Sequence, residues 1–419
     1  MSETLWMAGV VLALSAAWSA AAAGAADASP ALPRIAVRDG LFVERRGGRP
    51  FTPVGFNYIR LRPKWHGTFA PSVYDPRRAE AMLAEMQAGG FNTVRVFIDP
   101  AAKQGIVQAR GAEGLSKPYL GRLVDFLSRA RAHRVYVIPS LLALPCCKRY
   151  DDLVGRPRRH FGHANEMYFD DRFVRAKALY VADVLAAIQR ADPDLLSTVL
   201  ACELDNETHF FAHGEPFSRK EGTYKWQGRS YDLANDEALQ RLADAAVIRW
   251  ADACVDAARR VDPHAMVSVN VFTFAAVGRS GPAALRRDKT QDRRFPARPV
   301  ALTKTKLAYL DVHFYPFGAE TLDRDVRSIE MDALRRACKA RGKPLIMGEF
   351  GAFKKSYPTV RGAAGAMRRH LRRVRSLGFA GWLYWTYDTD EQPFLWNARS
   401  EGGEIYQALQ AEARPPKGP

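Results

Sequence analysis

Eight short β-rich apolar runs, with helical patterns between them, constrain this chain more than any other feature. They read TPVGFNY (52–58), FNTVRVFI (91–98), RVYVIPSLL (134–142), STVLACEL (197–204), AMVSVNVF (265–272), LAYLDVHFY (307–315), KPLIMGEF (343–350) and FAGWLYWTY (379–387). Such near-continuous apolar character marks strands that are covered on both faces. Between them, PRRAEAMLAEMQAGG, YLGRLVDFLSRARAH, DRFVRAKALYVADVLAAIQRAD, NDEALQRLADAAVIRWADACVDAARRVD, RDVRSIEMDALRRACKARG and VRGAAGAMRRHLRRVRSLG carry apolar residues at helical spacing. The first of these stops at Gly89-Gly90. Such alternation gives a parallel α/β sheet, and eight repeats are what a closed (β/α)8 TIM barrel requires. The fifth connection is the exception: RSGPAALRRDKTQDRRFPARPVALTKTK reads as a long basic loop with at most a short helix. No glycine-rich turn follows the first strand, which argues against a dinucleotide-binding sheet.

A chain of 419 residues with 47% hydrophobic content has ample core material for one such barrel. The expected catalytic domain spans 34–412, and no linker or second domain interrupts it. A short N-terminal β-hairpin is expected around the turns Asp39-Gly40 and Gly47-Gly48. Ahead of it, residues 1–28 form an Ala-rich apolar run ending in Ala26-Asp27-Ala28, an A-x-A cleavage pattern. Glu3 stands where a signal peptide normally carries Lys or Arg, so an uncleaved anchor is the alternative. The expectation is a signal peptide and a secreted or periplasmic protein, with no stable membrane insertion after cleavage.

Lys and Arg number 62 against 45 Asp and Glu, a net charge of +17 that attracts anions. Arginine is spread along the chain, and neither a Cys/His finger nor an aromatic RNA-binding strand signature is present, so nucleic acid is not an expected partner. The basic segments around residues 144–163 and 279–306 could contact an acidic glycan or simply be solvated. The five cysteines fit neither a disulfide scaffold nor a zinc site. Cys202, Cys254 and Cys338 read as buried thiols, while Cys146 or Cys147 could bridge to another loop in an exported protein. His209 and His213 have helical i, i+4 spacing and His160 and His163 lie close together. Neither pair encloses a Glu as in H-E-x-x-H, so no metal is expected.

In a barrel of this kind, active residues sit at the carboxyl ends of the strands. Those ends carry Asn57, Arg95, Asn206-Glu207, His313-Phe314-Tyr315, Gly348-Glu349-Phe350-Gly351 and Trp385. Glu207 and Glu349 leave strands four and seven at the same face and across the mouth from each other. Two facing carboxyls suit glycosidic cleavage, one protonating the leaving oxygen and the other attacking the anomeric carbon. Arg95 and Tyr315 could hold Glu349 ionised, and Asn206 could bind the sugar 2-hydroxyl. Glu203 and Asp205 share a strand face with Glu207, which makes Glu203 a rival acid. Glu207 is preferred because it follows Asn at the strand end. The aromatic-rich loop FFAHGEPFSRKEGTYKWQGRSY offers rings for sugar faces, Trp226 among them, or ordinary loop packing.

These segments together resemble glycoside hydrolase clan A, and family 5 (cellulases, mannanases and relatives) most of all. The resemblance runs from about residue 34 to the last helix. It implies a retaining glycosidase without cofactor that acts on β-linked oligo- or polysaccharides. It also implies Glu207 as acid/base and Glu349 as nucleophile, with Arg95, Asn206, His313, Tyr315 and Trp385 around the catalytic subsite. An endo-β-1,4-mannanase-like activity is the expectation. A β-1,4-glucanase or a non-catalytic glycan-binding barrel are the alternatives. The chain departs from the family pattern at the end of strand three, Pro139-Ser140-Leu141-Leu142, where many members have His. It also has Thr208 where many have Pro.

Overall fold

The computed structural model describes residues 29–62, 66–157, 165–272, 294–315 and 321–413. The expected leader, His160, His163 and most of the basic fifth connection lie outside these residues. Eight parallel strands close into a barrel: β1 (Val54–Tyr58), β2 (Thr93–Ile98), β3 (Tyr136–Leu141), β4 (Cys202–Glu203), β5 (Val267–Phe272), β6 (Tyr309–Phe314), β7 (Leu345–Phe350) and β8 (Gly381–Tyr384), with β8 pairing back onto β1. Every apolar run expected to be a strand supplies one. β4 is much shorter than its run: a 3₁₀ turn over 193–197, capped by Asp192, takes only Ser197 from it, and between that turn and Cys202 the Val137–Val199 bridge is isolated.

The surrounding helices are α1 (Pro76–Gly89), α2 (Lys117–Ala132), α3 (Asp171–Ala191), α4 (Asp236–Val261), a one-turn α5 (Pro299–Leu302), α6 (Ile329–Ala340), α7 (Val360–Ser376) and α8 (Glu404–Ala413). Side-chain caps fix several starts: Asp75, Ser116, Asp170 and Asn235 each accept a hydrogen bond from a first-turn amide of the helix that follows. The helical pattern over 324–342 is broken. Thr321–Val326 ends before Ser328, whose hydroxyl accepts from the Met331 amide and starts α6 afresh. The aromatic-rich segment after β4 is not all loop. His209–Phe211 pairs with Arg294–Pro296, and Thr223–Trp226 pairs with Arg229–Asp232. The hairpin turns at Gln227-Gly228, both at positive φ. With residues 209–211 in a strand, His209 and His213 do not share a helix face.

At the amino end of the barrel the expected hairpin, Ile35–Arg38 with Leu41–Glu44, gains a third strand, Pro50–Phe51. Leu32, Ile35 and Phe42 pack with Tyr136, Leu200, Met266, Tyr309, Ile346 and Leu383 from the lower strand ends. Phe42 meets Tyr309 edge-on at 5.2 Å and the Tyr136 hydroxyl donates to the Pro33 carbonyl. The small sheet is therefore a stopper over the bottom of the barrel. Cys202, Cys254 and Cys338 are buried thiols, and Cys147 is buried as well. Among the described residues no helix is long and apolar enough to cross a membrane.

Candidate active site

Arg95 organises the upper barrel. Its side chain is fully buried, and each of its five N–H groups finds an acceptor on a different residue. Nε donates to Glu203 Oε2 at 2.5 Å. One terminal nitrogen donates to Asn57 Oδ1 at 2.9 Å and Glu349 Oε1 at 2.5 Å. The other donates to Asn206 Oδ1 at 2.8 Å and Ser140 Oγ at 3.3 Å. One guanidinium thus ties β1, β3, β4 and β7 to β2. Glu203 is consequently committed to Arg95 and to Asn270, whose amide also donates to its Oε2. It has no exposed surface and does not line the cleft, so the rival acid lies beneath the site.

Glu349, one residue before the end of β7, has Oε1 on Arg95 and Oε2 accepting from the Tyr315 hydroxyl at 2.7 Å. Burial pushes its carboxyl above the ordinary value, against the pull of His313 and Arg95. The expectation that Arg95 and Tyr315 could hold Glu349 ionised left out this desolvation. Glu207 follows β4 at φ 49°, in the left-handed region that a non-glycine residue enters at a cost. Two hydrogen bonds hold it there. Its amide donates to Asn270 Oδ1, and the next amide, of Thr208, donates to the Asn270 carbonyl. The bend turns the Glu207 side chain into the cleft, where it retains 17% exposure. His313 Nδ1 lies 3.4 Å from Glu207 Oε1 and 3.5 Å from Glu349 Oε2. All three groups fall within 4.8 Å of one another. Burial lowers the His313 pKa to about 4, so its imidazole is neutral near pH 7.

The cleft has a volume of about 360 Å³. Glu207, Glu349, Asn206, Tyr315 and Trp385 line it, as the sequence placed them. The Trp385 indole N–H donates to Gln392 Oε1 at 2.6 Å, which fixes the ring against the cleft. Asn57, Arg95 and His313 stand behind this lining, fully buried; Asn57 Nδ2 donates to the Gly348 carbonyl. Trp226 is not brought to the cleft. Its N–H donates to the Phe169 carbonyl and its ring packs on Phe169 at 5.8 Å, within the hairpin. Ring content alone singled it out, and the sequence carries no sign of which way that hairpin turns. The outer wall holds Phe353 and Phe394, stacked at 6.2 Å and 15°, with Phe394 54% exposed. Tyr315 meets Phe353 at 5.9 Å, so aromatic rings run from Glu349 to the cleft mouth.

Sequence reading missed Asn270, Ser140 and Asp311. Period-two alternation was the available signal: it puts Ser268 and Asn270 on one face of β5, and Asp311 with His313 on one face of β6.

A closed (β/α)8 barrel that presents two facing carboxyls at the carboxyl ends of its strands is the architecture of a class of glycan-cleaving hydrolases. The family model for cellulase (glycosyl hydrolase family 5) matches residues 161–390. The chain belongs to that family and is a glycoside hydrolase acting on glycans. No curated protein sequence matches it. Among solved structures, the endo-1,4-β-mannanase from Rhizomucor miehei superposes with a TM-score of 0.58 at 14% identity, over 90% of this chain and 99% of that one. An exo-β-1,4-mannosidase from Opitutaceae bacterium strain TAV5 gives 0.57 at 18% identity, over 90% and 62%. The β-mannanase from the blue mussel Mytilus edulis gives 0.53 at 16%, over 93% and 98%. At these identities the likeness is one of fold.

Proposed function

We propose that the protein is a retaining β-glycosidase that uses a two-glutamate double displacement. The observation that carries this reading is that one carboxylate oxygen of Glu207 lies within 4.8 Å of one of Glu349, across a shared cleft. Retaining enzymes hold their carboxyls about 5–5.5 Å apart, whereas inverting ones need about 6.5–9.5 Å to admit a water. Glu349 is the nucleophile: Arg95 and Tyr315 donate to its two oxygens and stabilise the carboxylate that must attack the anomeric carbon. Glu207, open to the cleft, protonates the leaving oxygen. It then takes a proton from the water that releases the sugar from Glu349. Asn206, anchored by Arg95, presents its amide to the sugar in the catalytic subsite, and Trp385 supplies the ring on which that sugar stacks.

For substrate we propose β-1,4-mannan, cut internally, because the structural neighbours carry mannanase and mannosidase names. The cellulase family model favours β-1,4-glucan as the second reading. We further propose that residues 1–28 direct export, which would place the enzyme with extracellular or periplasmic polysaccharide.

The decisive experiment follows product stereochemistry by proton NMR during hydrolysis of β-mannan and β-glucan oligosaccharides. Retention predicts that the β-hemiacetal appears first; an initial α product would refute the double displacement. Glu349→Gln should lower turnover by several orders of magnitude on every substrate. Glu207→Gln should lose about 10²–10⁴-fold on oligosaccharides. On aryl glycosides whose leaving group needs no proton it should lose far less in the first step, with azide restoring turnover as a β-glycosyl azide.

A further inference from the structure

Beneath the two cleft glutamates the barrel interior holds a charged layer of which the double displacement uses only Arg95. Alternate strands contribute to one layer of a barrel interior. Here β2, β4 and β6 supply Arg95, Glu203 and Asp311, all fully buried. With Glu349 above them, three carboxyls surround one guanidinium. Burying a net charge of minus two is far more costly than burying minus one.

The hydrogen bonds show where the imbalance sits. Asp311 Oδ1 accepts from the Gly348 amide at 2.6 Å. Glu203 Oε2 accepts from Arg95 and Asn270. The remaining oxygens, Asp311 Oδ2 and Glu203 Oε1, are both buried and neither has a donor among the described residues. Two carboxylates cannot hydrogen-bond each other, so as anions both oxygens are orphans. One proton between them satisfies both at once. Glu203 is ion-paired to Arg95, while Asp311 meets only a backbone amide, so the proton belongs on Asp311.

We propose that Asp311 is a protonated positioning residue that donates a hydrogen bond to Glu203, leaving Arg95 neutralised by Glu203 and the layer's one remaining negative charge on Glu349. Burial, and then the adjoining Glu203 charge, favour the neutral acid of Asp311 in the same direction. The other groups facing this pair are Tyr309 and His313 on its own strand, Glu349 on β7, and the uncharged Ser268 and Asn270 on β5. Burial keeps Tyr309 and His313 neutral, so neither supplies a competing charge near pH 7. The Glu203–Asp311 pair thereby governs how much of Arg95 is left for Glu349. This rests on the assignment of Glu349 as nucleophile only where activity is the readout.

Infrared difference spectroscopy of the whole protein reads the proton directly, without reference to turnover. In the Glu207→Gln background, which removes the protonated carboxyl of the general acid, the protein at pH 7 should show the C=O stretch of a protonated carboxyl that is missing once Asp311→Asn is added. Absence of that band from Glu207→Gln, or its survival in the double variant, overturns the proposal. Kinetics on an aryl β-glycoside reads the consequence. Asp311→Asn keeps a neutral donor to Glu203, so the acid limb of its kcat/KM profile should stay at the wild-type pH. Glu203→Gln removes a competitor for Arg95, so the limb should move to lower pH, as Glu349 becomes easier to ionise. A limb that moves as far in Asp311→Asn as in Glu203→Gln would mean an ionised Asp311 and refute the assignment. Should Asp311→Asn fail to fold, titrating the band of Glu207→Gln decides: persistence well above the ordinary carboxyl pKa supports the proton, and loss near that value overturns it.

Discussion

Single residues set the chemistry through contacts tighter than a one-atom change allows. A Cβ added at Gly348 would lie 1.8 Å from Asp311 Oδ2. The carboxyl of Asp311 therefore packs directly on the backbone of β7, one residue before Glu349. Gly348→Ala should cost about 1–3 kcal/mol as an overpacking change, read as a lower Tm, and should impair turnover by shifting Glu349. A variant with unchanged Tm and rate would mean the strand relaxes freely. The pH dependence belongs at the same scale. Glu349 is raised by burial, so its ionised form is lost as pH falls through a value above that of an ordinary carboxyl. The acid limb of kcat/KM should accordingly lie on the neutral side of a free glutamate. A limb at or below the ordinary glutamate value would show that Arg95 and Tyr315 outweigh desolvation.

Elements were more legible than contacts. Eight β-rich runs gave eight strands because a strand buried on both faces must be apolar along its length. β4 was overextended because an apolar run can be buried without regular pairing, as residues 198–201 are apart from the Val137–Val199 bridge. Ser328 breaks the helical segment over 324–342 with the kind of side-chain cap a sequence advertises, yet the apolar periodicity runs straight through it. Of the candidate site, the residues at strand ends were readable because barrel topology fixes which ends share a face. The fivefold grip of Arg95 was not, since its partners lie 38 to 254 positions away and meet only when the barrel closes. Trp226 shows the opposite failure, a residue chosen by type and placed elsewhere by its hairpin. The β7–β8 wall yields a prediction at this level. Phe394→Ala should leave aryl monoglycoside hydrolysis unchanged and raise KM for longer oligosaccharides roughly tenfold or less, as expected for losing one aromatic face. Equal effects on both substrates would argue against sugar stacking on that ring.

Across the whole molecule, the upper and lower ends of the barrel have separate duties. The charged upper layers serve the cleft, and the apolar lower end is sealed by the N-terminal sheet. Phe42, nearly inaccessible and edge-on to Tyr309, is central to that seal. Phe42→Ala should cost about 3–5 kcal/mol in chemical denaturation while leaving kcat near wild type at temperatures where the fold persists. A large loss of kcat in the folded variant would show that the two ends are coupled.

The seal also dictates traffic. With its floor closed, the barrel is a blind well, and anything exchanging with its depths must pass the two glutamates at the rim. A glycan lodged there is a cork. Deuterium should therefore reach the Asp311 carboxyl through the rim, and far more slowly once an oligosaccharide occupies the rim.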